Sequence, residues 1–270
     1  MTKLKYKWTN DILFKLTFLK YPDLLQRLIA ALLEITYESI QKFEITNQEI
    51  PPEEIGKKFC RLDINMIVDD RHCNLEVQVE NDGAYPDRSL YYWAREFSLA
   101  LNEGQDYAEL PQTIVISILG FNQFADPNKF HSEFGVLEMT SHEPLSDKFK
   151  LHYFELPKLP NAIDASNMRD LWLKLFKAET EEELTNIDAL GVSTMSEAVR
   201  AYRQVAASPE FRELERMRSK RRHDEAQALK NAELRGELRG EERAHTKWQG
   251  VVAEKDAEIA LLREQLDNRQ

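Results

Sequence analysis

The chain has 270 residues, 42% of them hydrophobic and 31% charged, with a net charge of −11 and a pI near 5.2. That is room for one large domain, or one domain with an extension, and the apolar share can fill a core. An acidic chain repels phosphate, which argues against generic nucleic-acid coating unless a local basic surface or bound cations intervene. The charge is uneven: residues 1–207 carry 22 basic and 33 acidic side chains, whereas 208–270 carry 14 of each. Cys60 and Cys73 are the two cysteines, too few for a disulfide framework, and they are expected to be reduced thiols of a cytoplasmic protein. No apolar run approaches the roughly 20 residues of a membrane span, so no membrane partner is expected.

In chain order, residues 8–20 open with Thr9 and Asn10, both good helix N-caps, and place Leu13, Phe14, Phe18 and Leu19 at helical spacing. Pro22 restarts the pattern, and 23–34 reads as a second, amphipathic helix. Residues 44–58 carry Pro51, Pro52 and Gly56 and read as a loop. A β-hairpin follows, with strands over 59–68 and 73–80 and a turn at 69–72. A helix over 85–103 is expected to stop at Gly104. The β-branched run 113–122 reads as a strand buried on both faces, and 150–156 as another strand ended by Pro157. A helix over 169–179 closes this part. Helices mixed with strands make the fold class α/β or α+β.

From about 195 the sequence turns to helix formers and charge, with a tandem LRGELRGE and the basic cluster RMRSKRR at 216–222. Val252, Ile259, Leu262 and Leu266 fall on a and d heptad positions, but Lys255 occupies the intervening d. A folded domain over 1–190 and a charged helical, partly low-complexity extension over 195–270 are expected. The basic cluster fits a grip on a DNA backbone, and equally a solvated helix face neutralised by neighbouring glutamates.

The hairpin is where chemistry concentrates. Alternate residues share a face of a strand, so Glu76, Gln78 and Glu80 point one way and Leu75, Val77 and Val79 the other. With the turn at 69–72, Asn65 faces Glu76 and Asp63 lies diagonal to it, roughly 7–8 Å away at Cα. Two carboxylates at that range, helped by a main-chain carbonyl such as that of Val77, can share Mg²⁺, a hard cation that takes oxygen ligands. Held there, the ion activates a water and stabilises charge at phosphorus. The same pattern fits an amphipathic hairpin with its polar face in water, and spacing alone does not decide between them. No Gly-rich phosphate loop is present, so no nucleotide cofactor is expected, and the six histidines show no metal-ligand spacing.

Several blocks, in order, resemble the recombination-promoting nuclease / putative transposase family of bacteria, a branch of the PD-(D/E)xK nuclease superfamily. They are NDILFKLTF (10–18), GKKFCRLDINMIVDD (56–70), NLEVQVE (74–80), YPDRSLYYWAREFSLALNEGQDY (85–107), TIVISILGFNQF (113–124) and LHYFELPKL (151–159) with WLKLF (172–176). The resemblance covers roughly 10–180. It implies a restriction-endonuclease-like α/β core, a mixed sheet flanked by helices, that cuts DNA with Mg²⁺ or another divalent cation.

By position, the resemblance makes Asp63 and Glu76 the metal-binding acids and puts Gln78 where the superfamily has lysine. A neutral amide orients water by hydrogen bonds but cannot supply lysine's charge. Four residues are candidates for accessory roles. Asp11 would approach the metal or stabilise its own helix start. Lys15 and Lys57 would contact phosphate, and Arg88 would line the rim of the site. A homodimer is the simplest way to cut both strands. Two other readings remain at this point: a catalytically silent DNA-binding accessory protein of a mobile element, and a scaffold acting through its C-terminal helix.

Overall fold

The structure, a computed structural model, describes residues 2–46, 64–81, 83–101, 104–162 and 164–267. Asp63 and Lys57, with the expected strand start at 59–63 and Cys60, lie outside the described residues. The chain divides into two compact units, Met1–Arg216 and Met217–Gln270.

The first unit begins with α1 (Asp11–Lys20) and α2 (Pro22–Leu32). Asn10 caps α1 by accepting the Leu13 N–H at 3.0 Å. Tyr21 ends α1, and Pro22 starts α2 at a position where its missing N–H costs nothing. Helices α4 (Met168–Lys177) and α6 (Ser193–Ala206) complete an aromatic core with α1. Trp8, just ahead of α1, stacks on Tyr202 of α6 at 5.4 Å and meets Phe176 of α4 at 5.7 Å. Between α4 and α6, α5 (Glu181–Asp188) opens on a capping box in which Thr180 and Glu183 satisfy each other's backbone N–H. α6 buries Met195, Ala198, Val199, Ala201, Tyr202 and Val205, so it belongs to the folded core although its composition resembles the tail.

Six strands form one mixed sheet in the order β1-β2-β3-β4-β6-β5. They are β1 (Phe43–Ile45), β2 (Ile64–Val68), β3 (Arg71–Gln78), β4 (Thr113–Leu119), β5 (His131–Leu137) and β6 (Pro144–Glu155). β3, β4 and β6 run parallel, and the outer pairings are antiparallel. All seven residues of β4 are buried, as expected for a central strand covered on both faces. α3 (Tyr85–Ser98) covers one face, where Tyr85, Val115, Leu119, Phe149, Leu151 and Tyr153 pack together.

Several elements depart from the sequence reading. The start of the expected 44–58 loop belongs to an edge strand, Phe43–Ile45; three residues are too few to display alternation. β5 and the outer half of β6 were not expected. They form an exposed hairpin with register shifts around Gly135, and their side chains lack the apolar alternation of a half-buried strand. α3 ends at Ser98, well before Gly104.

The β2–β3 hairpin turns more tightly than expected. Val68 pairs with Arg71, leaving a turn of Asp69 and Asp70. Asp69 takes φ +57°, a left-handed conformation that aspartate tolerates, and its carboxylate accepts the Gln41 and Lys42 N–H groups at 2.8 and 3.0 Å. Asn65 therefore faces Asn74 rather than Glu76, a register two residues from the expected one. A shift of two preserves the faces. Asn74 Nδ2 donates to Asn65 Oδ1 at 2.6 Å, so these side chains meet on one face of the pair.

The second unit is the continuation of α7 (Pro209–Asp267), a charged helix. Its heptad residues Val252, Ile259 and Leu262 are about half exposed.

Candidate active site

Glu76 sits on the inner strand β3, in register with Ser117 of β4 and, through it, Tyr153 of β6. This alignment puts Glu76, Ser117 and Tyr153 on the face that α3 covers. Pro86 at the start of α3 fixes a helix-compatible φ, and the first turn lowers Tyr85 onto the sheet. Tyr85 is fully buried, and its phenol lies 3.0 Å from Glu76 Oε2 and 2.9 Å from Ser117 Oγ. A phenol has one proton, and a carboxylate can only accept. Tyr85 therefore donates to Glu76, and the Ser117 hydroxyl donates to the Tyr85 oxygen. Burial, and then the Glu76 charge, push the Tyr85 phenol well above its usual range, so it stays a donor.

The second Glu76 oxygen, Oε1, is 3.4 Å from an Arg88 guanidinium nitrogen. Both side chains are largely enclosed, 18% exposed for Arg88 and 16% for Glu76. Arg88, one turn along α3 from Tyr85, also lies over the Tyr85 ring at 4.7 Å. Gln78 points from the same strand face as Glu76, and its Nε2 donates to the Glu80 carbonyl at 2.8 Å, leaving its amide oxygen to accept. Val77 lies between them, half-buried and paired with Ile118. The set formed by the Glu76 carboxylate, the Gln78 amide oxygen and the Val77 carbonyl is all oxygen, the chemistry a hard divalent cation takes. Among the described residues no three His, Cys, Asp or Glu side chains cluster as a ready-made metal centre.

The structure pairs Arg88 with Glu76, and Val77 and Gln78 follow Glu76 on the same strand. Asp11 lies in the first turn of α1, where its Oδ1 accepts the Ile12 N–H at 3.2 Å, as a helix-start acid does. Lys15 is 1% exposed within α1. In the basic cluster, Arg216 makes two hydrogen bonds to Glu213, at 2.7 and 2.9 Å. Of the α3 aromatics, Trp93 is structural: its indole N–H donates to the Thr113 carbonyl at 2.9 Å.

Tyr85 and Ser117 are the site residues that sequence reasoning missed. The signal for Tyr85 was its position at the helix start after the acidic strand. Nothing local marked Ser117, one polar residue in an apolar run. A supporting layer lies behind them. Phe121 meets Tyr85 edge-on at 6.4 Å and Phe124 meets Tyr153 at 5.2 Å. The 121–124 segment is held by Glu155, which accepts the Gln123 and Phe124 N–H groups at 2.6 and 3.1 Å. Lys158 pairs with Glu155 at 2.8 Å and donates to the Phe124 carbonyl at 2.6 Å.

A mixed sheet with an acidic residue on an inner strand, backed by helices and followed by a long C-terminal helix, is a PD-(D/E)XK nuclease-like α/β fold. The model of the PD-(D/E)XK nuclease family transposases matches residues 8–232, and the chain belongs to that family. The match extends through α6 into α7, beyond the region that the sequence blocks covered. No match was found among curated proteins or among solved structures. Membership implies a nuclease- or transposase-like function with DNA as the substrate class. No described helix is long and apolar enough to cross a membrane.

Proposed function

We propose that the chain is a metal-dependent DNA endonuclease that hydrolyses phosphodiester bonds and promotes recombination or transposition-like events. The observation that carries this reading is the Glu76 carboxylate, enclosed on β3 and hydrogen-bonded by Tyr85 within a chain of the nuclease-type transposase family. Glu76, Asp63 and the Val77 carbonyl would hold Mg²⁺ or another divalent cation. When bound, the ion supplies an activated water and offsets charge developing at phosphorus. Gln78 accepts or donates a hydrogen bond to orient that water, and Arg88 neutralises charge beside Glu76. Two copies related by a two-fold axis would cut both strands, so a homodimer in the cytoplasm is the expected working form.

A second reading, a silent DNA-binding accessory protein, is favoured by one contact: Arg88 already pairs with the acid that a metal needs. Nicking of supercoiled plasmid separates the two. Mg²⁺-dependent nicking by the full chain, absent with EDTA and in both Asp63→Ala and Glu76→Ala, is the expected result. DNA binding without nicking under any divalent cation would sink the endonuclease reading and leave the accessory role. Partner binding that depends on α7 and survives both substitutions would instead make the chain a scaffold.

A further inference from the structure

We propose that Tyr85 is a positioning residue for the nuclease centre: its phenol, itself fixed by Ser117, holds Glu76 in the orientation the centre requires. The inference rests on the endonuclease reading above and adds to it a residue outside the acidic motif. Glu76 and Ser117 are register partners on adjacent parallel strands, so their side chains rise side by side from one face. The Tyr85 hydroxyl reaches both, 3.0 Å to Glu76 Oε2 and 2.9 Å to Ser117 Oγ. A glutamate has a long, freely rotating side chain, and one fixed donor on one oxygen removes most of that freedom. Outer groups that orient a ligating carboxylate tune metal binding as the ligands themselves do. The contact to Arg88 is longer, 3.4 Å, and falls on Oε1, the other carboxylate oxygen.

The ring is as constrained as the hydroxyl. Tyr85 meets Tyr153 edge-on at 6.3 Å and Phe121 at 6.4 Å. Tyr153 is tied to α3 through the Ser89 hydroxyl, which in turn donates to the Pro86 carbonyl at 2.8 Å. A hydroxyl buried this deeply is costly without partners, so a phenol is kept here for what it bonds. A ring of the same size packs without it.

The test uses the full chain and three variants, Tyr85→Phe, Ser117→Ala and Glu76→Gln. Three quantities are read: Mn²⁺ affinity by titration calorimetry, single-turnover plasmid nicking with KM for plasmid, and Tm. Tyr85→Phe is expected to weaken Mn²⁺ binding about 10- to 100-fold. Nicking should slow in step, with KM for plasmid unchanged and the protein still folded at the assay temperature. Ser117→Ala should act in the same direction by a smaller factor, and it decides the matter if Tyr85→Phe does not fold. Wild-type Mn²⁺ affinity and rate in Tyr85→Phe, with Glu76→Gln losing both, overturns the Tyr85 role alone. Wild-type affinity and rate in Glu76→Gln as well, or no Mn²⁺ binding by the unmutated chain, overturns the endonuclease reading and the positioning role with it.

Discussion

Replacing Lys158 with methionine tests how the layer behind the site is held. Glu155 and Lys158 are 0% and 3% exposed, and the Glu155 carboxylate takes the ammonium and two backbone N–H groups of the 121–124 segment. Methionine keeps most of the stem's volume but removes the charge and the bond to the Phe124 carbonyl. A buried ion pair broken on one side leaves an uncompensated charge, at a cost of about 3–5 kcal/mol. For a folded unit near 216 residues each kcal/mol moves Tm by about 2–4 °C, so a drop of roughly 6–20 °C is expected in Lys158→Met. The readout is thermal unfolding followed by near-ultraviolet circular dichroism, which reports Trp8 and Trp172 in the aromatic core. The double variant Glu155→Gln/Lys158→Met should recover at least half of the loss, because glutamine still accepts from the two N–H groups while no buried charge remains. A Tm for Lys158→Met within 1 °C or so of the parent would refute the reasoning.

Two further outcomes are expected. Burial pushes His152 down to about 4, with Glu133 opposing and His131 and Lys150 reinforcing the shift, and His131 is lowered too, chiefly by its burial. The unfolded chain takes up those protons near 6.5 and the folded chain does not, so stability falls as pH drops from about 6.5 toward 4. His152 alone accounts for about 2–3 kcal/mol at the acid end. Urea midpoints measured across that range should decline in the parent and flatten in His152→Asn; parallel curves would contradict the assignment. In the proposed centre, Gln78→Lys places a charged donor where the superfamily pattern has lysine, and plasmid nicking at or above the parent rate is expected. Loss of nicking in that variant would mean the amide has a role of its own.

Much of the fold was legible in the sequence because the signals were local. Asn10 and Pro22 punctuate the first two helices, and the β-branched run of β4 announces a strand buried on both faces. The polar strand face was legible as a pattern, since Glu76 and Gln78 share it whatever the register. Register itself was not: the tight turn at Asp69, in left-handed φ, is braced by its carboxylate accepting the Gln41 and Lys42 N–H groups, a contact distant in sequence. β5 was hidden because an exposed edge strand carries no apolar alternation. α6 shares its helix formers and charge with the tail, and only packing against α1 shows which of its faces is core.

The sequence alone determined the class of protein, since it carries the ordered blocks of the family together with the acidic strand motif. It also determined the charge balance, acidic over residues 1–207 and neutral beyond them. Tertiary structure decided what surrounds Glu76. Parallel pairing of β3 with β4 sets Ser117 beside it, and α3 returning over the sheet sets Tyr85 and Arg88 on its two oxygens. These partners lie 9, 12 and 41 residues from Glu76 along the chain. No local periodicity encodes such a meeting; it arises when strands and helix bury their apolar faces against one another.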